Sequence, residues 1–400
     1  MLINLRNALM AGRRLPYDAE IEFLESTGTQ WIDTGVIATE NTRVKATLMT
    51  LSTNNKNWFG GQVTGLGSNA NGFCFNAYAS SRVELVFGGS GWVVPAVSDI
   101  VNRIFTLDFS KDGVVIDGIT VATPSYTTFA QQTAPIAIFV RVGGSAYVNG
   151  RLYAFQIYQN GILVRDYIPV RKGTVGYLYD RVSGKLFGNA GTGDFVLGPD
   201  VVPVEWLESH GTEWIDTGFN ITNATSFSYD AKFSLASTIA NSEPRLFSNE
   251  GAGSGAYYDI YFATSANILS IRQSGTTAQI SRRDVPIVST MDEQGNYRGY
   301  YEDEPQSLLY NATRAFVAPT TDRDYRIFSR GNNTSSQFLW QGKLYWLNFT
   351  KNGEPSRRYR PVRVGTEGAM IDTLTRRIYR NAGTGAFTYG NDLKYPIPAS

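Results

Sequence analysis

The sequence has little charge of either sign and no long apolar run. Charged residues make up 18% of the 400 residues, and 36 Lys and Arg offset 35 Asp and Glu to a net charge of +1. A surface for nucleic acid needs a clustered basic excess to neutralise phosphates, so we expect no nucleic-acid partner. A membrane-spanning helix needs about eighteen consecutive apolar residues, and no such run occurs, so we expect no membrane insertion.

Cysteine and histidine are nearly absent. Cys74 is the only cysteine, which excludes an intrachain disulfide framework, and its strand-like neighbours predict a buried structural thiol. The single histidine, His210, excludes every multi-histidine zinc site and permits a serine triad only around itself. Since its counterpart in the repeat described below is Thr27, we interpret it as a surface turn residue. The sequence predicts no metal and no cofactor.

A tandem repeat organises the chain. Residues 21–35 read IEFLESTGTQWIDTG and residues 204–218 read VEWLESHGTEWIDTG, with eleven of fifteen positions identical. The segments that close the two copies begin at Leu152 and Leu344, and both contain the string NAGTG. Because both ends match in the same order, the sequence predicts a duplicated domain.

The repeat divides the chain into five segments. A proline near each end of the linker fixes φ there and predicts a stiff boundary rather than a flexible tether. The segments are an N-terminal attachment arm at 1–19, a first domain at 20–198, a linker at 199–203, a second domain at 204–390 and a C-terminal tail at 391–400.

The pattern within each domain is that of β-strands. Apolar and polar residues alternate in 43–48, 104–109 and 152–158, and Asn-Gly or Asp-Gly pairs such as Asn160-Gly161 separate the strand-like runs. Residues 20–390 contain no amphipathic helical stripe of three or more turns. The sequence therefore predicts an all-β protein with two tandem antiparallel domains, each a β-sandwich or a jelly roll.

The matched motifs resemble those of a known fold family. The opening segment from Glu25 to Gly35, and the closing one that runs from Asn160 through Arg171 to Gly193, resemble concanavalin A-like, laminin-G-like jelly-roll modules. The variant with STGTQ, IDTG and NAGTG is similar to modules of bacteriophage and prophage structural proteins. The resemblance covers nearly all of residues 20–390. It implies two stacked, curved antiparallel sheets, often with glycan or protein bound at the concave face or the rim loops.

Some proteins of that family are glycoside hydrolases, which place their acid and nucleophile in Glu-x-Asp-x-x-Glu on one strand face. The sequence has no such string. Its nearest carboxylate clusters are Glu20–Glu22, at a domain edge, and Glu302–Glu304, in a loop-like context. We therefore expect no enzymatic activity. Asp112-Gly113 and Asp117-Gly118 are expected to form turns rather than a calcium site.

Trp31 and Trp214 are matched between the copies, as are Asp33 and Asp216. One interpretation is a sugar-stacking aromatic ring beside a polar group. The other is a tryptophan that anchors the core, followed by an Asp-Thr-Gly turn held by side-chain to backbone bonds. We favour the second, because these residues persist while the middle segments diverge.

Arg171 and Arg363 are also matched, as are Asp180 and Asp372. We expect each arginine to pair with the aspartate of its own copy in a buried or half-buried structural contact, in preference to a ligand contact.

Ligand-facing residues are expected in the divergent middle of each copy. Aromatic side chains on polar loops suit carbohydrate stacking or protein contact, because they supply contact area at a low entropy cost. The candidates are Trp58, Tyr78, Trp92, Tyr257, Tyr297 and Tyr300.

The first fourteen residues can form an amphipathic helix. Such a short helix is marginal alone, so we expect it to fold either against the first domain or against another protein, and we favour attachment to other virion proteins. Arg6 interrupts the apolar stretch, so no export signal is evident. The attachment residues are Leu2, Leu5, Arg6, Leu9, Arg13 and Arg14.

The leading functional hypothesis is a non-enzymatic bacteriophage virion protein that serves as a capsid decoration, a head fibre or a tail fibre. It would be made in the host cytoplasm, attach to the particle through the arm and display two lectin-like domains toward a host-surface or mucosal glycan. Arginine outnumbers lysine, which is typical of protein interfaces and favours a homo-oligomer. The alternatives are a bacterial surface or secreted lectin and, third, a glycoside hydrolase.

Overall fold

The structure is a computed structural model, and the chain divides into two compact units. The first comprises Met1–Val201 with Thr375–Arg377, and the second comprises Val202–Leu374 with Ile378–Ser400. The residues that the structure describes are 15–52, 56–61, 72–88, 92–93, 95–125, 128–141, 146–249, 258–272, 275–319, 323–330, 338–393 and 396–397.

The regular structure is β throughout, which confirms the all-β part of the predicted fold class. The described residues form 34 strands and no α-helix, and the sheets are antiparallel. The described residues include no apolar helix long enough to span a membrane. Alternation of apolar and polar residues is the local cause, since a strand directs successive side chains to opposite faces.

The first unit has one sheet of eleven strands, the large sheet, and one of six, the small sheet. The large sheet contains β1 (Ala19–Glu20), β2 (Leu24–Thr27), β4 (Thr42–Thr50), β9 (Ile104–Ser110), β10 (Gly113–Ile116), β11 (Ile119–Ala122), β13 (Asn149–Gln159), β14 (Ile162–Lys172), β15 (Val175–Asp180), β16 (Lys185–Phe187) and β17 (Val196–Leu197). The small sheet contains β3 (Ile32–Ile37), β5 (Lys56–Gly61), β6 (Phe73–Ala79), β7 (Arg82–Phe87), β8 (Trp92–Val93) and β12 (Pro135–Ile138).

The second unit also has a large sheet of eleven strands and a small sheet of six. Its large sheet contains β18 (Val201–Pro203), β19 (Leu207–His210), β21 (Phe227–Leu235), β26 (Ile287–Met291), β27 (Asn296–Tyr301), β28 (Leu308–Thr313), β30 (Gln341–Lys351), β31 (Glu354–Val364), β32 (Glu367–Asp372), β33 (Ile378–Tyr379) and β34 (Thr388–Tyr389). Its small sheet contains β20 (Ile215–Asp216), β22 (Arg245–Ser248), β23 (Ile260–Ala263), β24 (Ile268–Ile271), β25 (Thr276–Gln279) and β29 (Arg326–Ile327).

The two units have the same strand order. The large sheet of the first runs β11-β10-β9-β4-β13-β14-β15-β16, and that of the second runs β28-β27-β26-β21-β30-β31-β32-β33. The small sheets run β3-β12-β5-β6-β7-β8 and β20-β29-β22-β23-β24-β25. Each strand of the second unit therefore has a counterpart in the first, and matched positions can be identified from cross-strand register.

Within each unit the core lies between the two sheets. In the first, Phe59 of the small sheet meets Phe109 and Phe155 of the large sheet, with ring centroids 5.6 and 5.4 Å apart. In the second, Phe247 meets Phe349 at 5.4 Å. Cys74 is a buried free thiol, as predicted, and burial raises its pKa to about 12.

A β-bulge lies at the same place in both large sheets. In the second unit, Lys232 faces Trp346 and Phe233 faces Leu344, so Tyr345 is the extra residue. In the first unit the register shifts between Leu152 and Ala154. A bulge opposes two residues of one strand to one of its neighbour and redirects their side chains. It sets which aromatic rings of β30 point to solvent.

The predicted pairing of the matched arginines with Asp180 and Asp372 is wrong. Arg171 instead donates to both carboxylate oxygens of Asp200, at 2.6 and 2.5 Å. Arg363 repeats this bidentate pair with Asp392, at 2.7 and 2.6 Å. The aspartates follow the closing strand of each unit, where the chain returns beside the arginine.

Asp180 and Asp372 have a different role, which their complete burial makes possible. Asp180 accepts hydrogen bonds from the backbone N–H groups of Asp166 and Val182, at 2.9 and 3.1 Å. Asp372 accepts from Arg358 N–H at 2.9 Å. Each carboxylate therefore fastens a turn to the neighbouring strand.

The repeated Asp-Thr-Gly segment makes the expected side-chain to backbone bonds, but in the first unit it lies within β3 rather than in a turn. Gly35 N–H donates to Asp33 at 2.8 Å, and the Thr34 hydroxyl donates to the Ile136 carbonyl at 2.7 Å. The preceding tryptophans are half-buried rather than central in the core. The guanidinium of Arg326 lies 4.2 Å from the ring centroid of Trp214, so the ring forms a structural cation–π pair.

Asp117, in the second of the two Asp-Gly pairs, lies in a turn that needs no metal ion. It accepts from Thr106 N–H at 2.8 Å and forms an ion pair with Arg103. His210 is exposed at the end of β19 rather than in a turn.

Candidate functional site

The solvent side of the large sheet in the second unit presents three parallel rows of side chains. Alternate residues of β21 are buried, so Ser228, Asp230 and Lys232 point away from the core. Cross-strand register extends each residue into a row. The polar rows are Asn296–Asp292–Ser228–Thr350 and Arg298–Thr290–Asp230–Asn348, and the aromatic row is Tyr300–Val288–Lys232–Trp346–Arg360.

A groove of about 540 Å³ opens beside the aromatic row. Three half-buried aromatic side chains line it, Trp206 from just before β19 and the bulged pair Tyr345 and Trp346 from β30. Aromatic rings supply large apolar faces at low conformational cost, and such grooves with a few placed polar groups are typical of ligand sites. The full lining is Pro203, Val204, Glu205, Trp206, Lys232, Tyr345, Trp346, Arg360, Pro361, Leu393 and Ile397.

Lys232 fixes the aromatic pair. Its ammonium nitrogen lies 4.7 Å from the ring centroid of Tyr345 and 5.1 Å from that of Trp346. The same nitrogen forms an ion pair with Glu302. The lysine charge is therefore neutralised within the protein, and its contacts order the rings before any ligand arrives.

A hydrogen-bond network joins the groove to the polar rows. The indole N–H of Trp346 donates to Asp230 at 3.3 Å, and the side chain of Asn348 donates to the same carboxylate at 3.4 Å. Arg360 donates to the side-chain oxygen of Asn348 at 2.8 Å. Burial lowers the pKa of Arg360 to about 10, a value at which it keeps its charge near neutral pH.

The groove is specific to the second unit. The matched positions of the first unit hold Phe23 for Trp206, Thr47 for Lys232, Ala154 for Trp346 and Ile168 for Arg360. The replacements remove the Trp346 ring and both cations, and they reduce Trp206 to phenylalanine, while Tyr153 matches Tyr345 and the surrounding strand order stays the same. The two copies therefore share a scaffold but differ in this surface.

Two residues that the sequence predicted to contact a ligand lie in the core. Trp58 and Tyr297 are buried at 0% and 1% exposure on β5 and β27, which corrects the expectation that they lie on loops. Trp58 donates its indole N–H to the Thr50 hydroxyl at 2.9 Å. Both residues lie on the buried face of a strand, although their polar sequence neighbours predicted a loop.

The other predicted residues lie apart from one another. Tyr78 is exposed on β6 of the first unit, and Tyr300 is half-buried on β27 in the aromatic row of the second. Trp92 begins β8, but its side chain lies outside the described part of the chain, as does Tyr257. The attachment arm residues Leu2 to Arg14 also lie outside the described residues.

Trp206, Tyr345 and Trp346 are not among the residues predicted from the sequence, because they stand in the repeated segments, where the sequence predicts scaffold residues. A signal was present in the sequence. Within those matched segments, Ala154 becomes Trp346 and Ile168 becomes Arg360. Changes of size and charge inside an otherwise conserved repeat indicate a surface with a separate role.

The described residues contain no cluster of His, Cys, Asp and Glu arranged to hold a metal ion. The site consists of aromatic faces, the Lys232 ammonium paired with Glu302, the Arg360 guanidinium hydrogen-bonded to Asn348, and a set of hydroxyl, amide and carboxylate groups. This arrangement suits stacking and hydrogen bonding to an uncharged polar ligand.

Comparison with known proteins gives structural likeness at low sequence identity. No protein-family model matches the chain, and no curated protein matches it. Domains LG4-5 of the mouse laminin α1 chain align at 9% identity and a TM-score of 0.30, covering 86% of this chain and 94% of that one. A candidate carbohydrate-binding protein from Bacteroides ovatus aligns at 9% identity and a TM-score of 0.34, covering 91% of each chain. The NanB sialidase of Streptococcus pneumoniae aligns at 9% identity and a TM-score of 0.28, covering 93% of this chain and 76% of that one.

Proposed function

We propose that this is a carbohydrate-binding protein and that the aromatic groove of the second unit holds the sugar. The observation that supports it most directly is the set of three half-buried rings, Trp206, Tyr345 and Trp346, beside the Asp230–Asn348 network. A gluco-configured pyranose has C–H groups on both ring faces and hydroxyls at its edge. Its faces fit aromatic rings, and its edge fits carboxylate and amide partners.

The charges of the groove favour a neutral sugar. Lys232 is already paired with Glu302, and Arg360 donates to Asn348 and to the Tyr359 carbonyl. An anionic ligand would have to displace these partners, whereas a neutral one binds without breaking them. The ligand class is therefore an uncharged pyranoside.

The protein acts without hydrolysing its ligand. The sequence has no Glu-x-Asp-x-x-Glu strand, and the groove is lined by a single carboxylate residue, Glu205, within the part of the chain that the structure describes. Canonically, glycoside hydrolysis takes two carboxyl groups placed on either side of the scissile bond. Incubation with a bound oligosaccharide, followed by chromatography, is expected to return it intact.

At a finer level, the function is adhesion by a bacteriophage virion protein with two laminin-G-like jelly-roll modules. The resemblance of the STGTQ, IDTG and NAGTG motifs and the amphipathic arm support this. The arm would bind other virion proteins, the protein would be a homo-oligomer in the particle, and the groove would face a host-surface or mucosal glycan. Mass spectrometry of purified particles tests it, with deletion of residues 1–14, which leaves β1 in place, expected to abolish incorporation.

A bacterial surface or secreted lectin is the second candidate, and the same groove supports it. The cellular location of the protein distinguishes these two candidates, since both predict the same sugar binding. Detection of the protein on the bacterial surface, together with its absence from phage particles, would favour the lectin.

The sugar-binding proposal is tested on the full chain with a glycan microarray and Trp346→Ala, which gives the second unit the residue that the first has at Ala154. We expect neutral, gluco-configured glycans to be bound and the variant to bind at least about tenfold more weakly. Lack of signal from any glycan, or an unchanged signal from the variant, would refute the proposal.

A further inference from the structure

A second concavity lies on the same face as the groove. It encloses about 430 Å³ over the two polar rows of β21, β26, β27 and β30. Its lining alternates hydroxyl, amide and charged groups, with acceptors and donors on adjacent strands. The lining residues are Ser228, Tyr229, Asp230, Thr290, Met291, Asp292, Asn296, Arg298, Asn348 and Thr350.

Several polar groups of this depression are available to a ligand. The hydroxyls of Ser228, Thr290 and Thr350 have no hydrogen-bond partner among the described residues, and the Arg298 guanidinium makes no ion pair there. Asp292 is by contrast held by Asn296, whose N–H and side-chain amide donate to it at 2.9 and 2.8 Å. The free groups are three small hydroxyls and the Arg298 guanidinium, which can form hydrogen bonds with the hydroxyls of a sugar.

The matched surface of the first unit is filled. Arg43 stands at the position of Ser228, Asp108 at that of Thr290 and Tyr158 at that of Thr350, as cross-strand register shows. Arg43 donates to Asp108 at 2.7 Å, and Lys45 lies 6.0 Å from the Tyr158 ring. The depression therefore exists because three large or paired side chains are replaced by small hydroxyl residues.

The depression and the groove are adjacent and are linked by hydrogen bonds between their lining residues. Asp230 and Asn348 line the depression, while their partners Trp346 and Arg360 line the groove. Four residues along β30 separate Trp346 from Thr350, which corresponds to about 13 Å at the rise of a β-strand. That length exceeds a single pyranose ring, so one ligand can touch both ends only if it is an oligosaccharide.

We infer that the depression is a second sugar subsite, and that the second unit binds a linear, neutral, gluco-configured oligosaccharide that extends from the aromatic groove across the polar rows. This inference rests on the proposed function. The rings of the groove hold one end of the chain, and the free hydroxyls and Arg298 hydrogen-bond the residues that follow. The first unit has Ala154 in place of Trp346 and the Arg43–Asp108 pair in place of the depression.

The test measures binding of cello-oligosaccharides, from the disaccharide to the hexasaccharide, to the full chain by titration calorimetry. The wild type is expected to bind the tetrasaccharide at least about tenfold more tightly than the disaccharide. The double variant Ser228→Arg with Thr290→Asp installs the ion pair of the first unit in the depression. It is expected to bind the disaccharide like the wild type and to lose the gain with length.

Two controls accompany the series. Arg43→Ser with Asp108→Thr makes the reverse change in the first unit and is expected to leave all affinities unchanged. Thermal unfolding checks that the double variant folds, because Thr290→Asp places a carboxylate opposite Asp230, where the first unit has Lys45 opposite Asp108. If it does not fold, the single variant Thr350→Tyr is used instead. It too is expected to bind the disaccharide like the wild type and to lose the gain in affinity with length.

The outcomes separate the two proposals. If the folded double variant still binds the tetrasaccharide more tightly than the disaccharide, the second subsite is overturned, whereas the proposed role of the groove is unaffected. Failure of the wild type to bind any cello-oligosaccharide overturns the inferred ligand. Equal binding by the wild type and Trp346→Ala overturns the groove itself, and with it the proposed function.

Discussion

The ammonium group of Lys232 lies 5.1 Å from the centroid of the Trp346 ring, across one antiparallel strand pair. The same group is paired with Glu302, so the lysine joins the aromatic row to the edge of the sheet. The first unit has Thr47 and Ala154 at these positions and therefore has neither contact. The pair gives the groove an ordered aromatic surface before a ligand binds.

Lys232→Thr is expected to weaken sugar binding about fivefold, because the Trp346 ring loses a cation–π contact of about 1 kcal/mol and must be ordered by the ligand. Calorimetry with the tetrasaccharide measures the change. Lys111→Thr removes an exposed lysine of the first unit and should leave affinity unchanged. Equal effects of the two substitutions would show that overall charge, rather than the ring contact, is responsible.

Trp214→Ala separates the two interpretations of the repeated tryptophans. The Trp214 ring is covered by Arg326 at 4.2 Å and packs against the core, so its removal should lower the stability of the second unit by about 2 kcal/mol. Sugar affinity of the folded protein should stay as in the wild type. A selective loss of binding without a loss of stability would instead restore the sugar-stacking role.

Glu213 gives the second unit a pH-dependent contact at a position where the first unit has the uncharged Gln30. Its buried carboxylate accepts from His210 N–H and the Thr212 hydroxyl, each at 2.7 Å. Burial opposes the charged form, yet these hydrogen bonds outweigh it and lower the pKa of Glu213. Because the pKa is lower in the folded state, the charged carboxylate stabilises the fold at any pH above its ordinary, unfolded-state pKa. This stabilisation is lost as the pH falls through the folded-state pKa.

Glu213→Gln is therefore expected to destabilise the second unit by about 1 to 3 kcal/mol at neutral pH and to have no effect in strong acid. Urea unfolding followed by hydrogen exchange in the second unit measures it. The matched residue Gln30 donates to the Asp194 carbonyl at 2.9 Å, so Gln30→Glu should destabilise the first unit at neutral pH. A pH-independent cost of Glu213→Gln would contradict the role of the charge.

Asp372→Asn is expected to lower the stability of the second unit by about 2 kcal/mol, because the buried carboxylate holds the turn after β32 and faces Arg357. Hydrogen exchange should show faster opening of β31 and β32 alone. Asp180→Asn should produce the same effect confined to β14 and β15. Loss of stability spread evenly over both units would count against a local anchoring role.

The duplication, the all-β class and the turns follow from the sequence by itself. Alternation of apolar residues sets which strand face is buried, and short-range motifs set their own side-chain to backbone bonds. Asp33 captures Gly35 N–H two residues away, and Asn189 likewise captures Gly191 N–H at 2.8 Å. Such contacts depend on a few neighbouring residues, so they can be predicted without knowing the rest of the fold.

The partners of Arg171 and the composition of the groove were decided by tertiary structure. Arg171 meets Asp200 only because the closing segment returns beside β14. Trp206, Lys232 and Trp346 are far apart in the sequence and meet through strand pairing. Strict alternation would also put Tyr345 and Trp346 on opposite faces, whereas one extra residue at the bulge leaves both lining the groove. Local pattern determines strands and turns, but register and bulges determine which side chains share a surface.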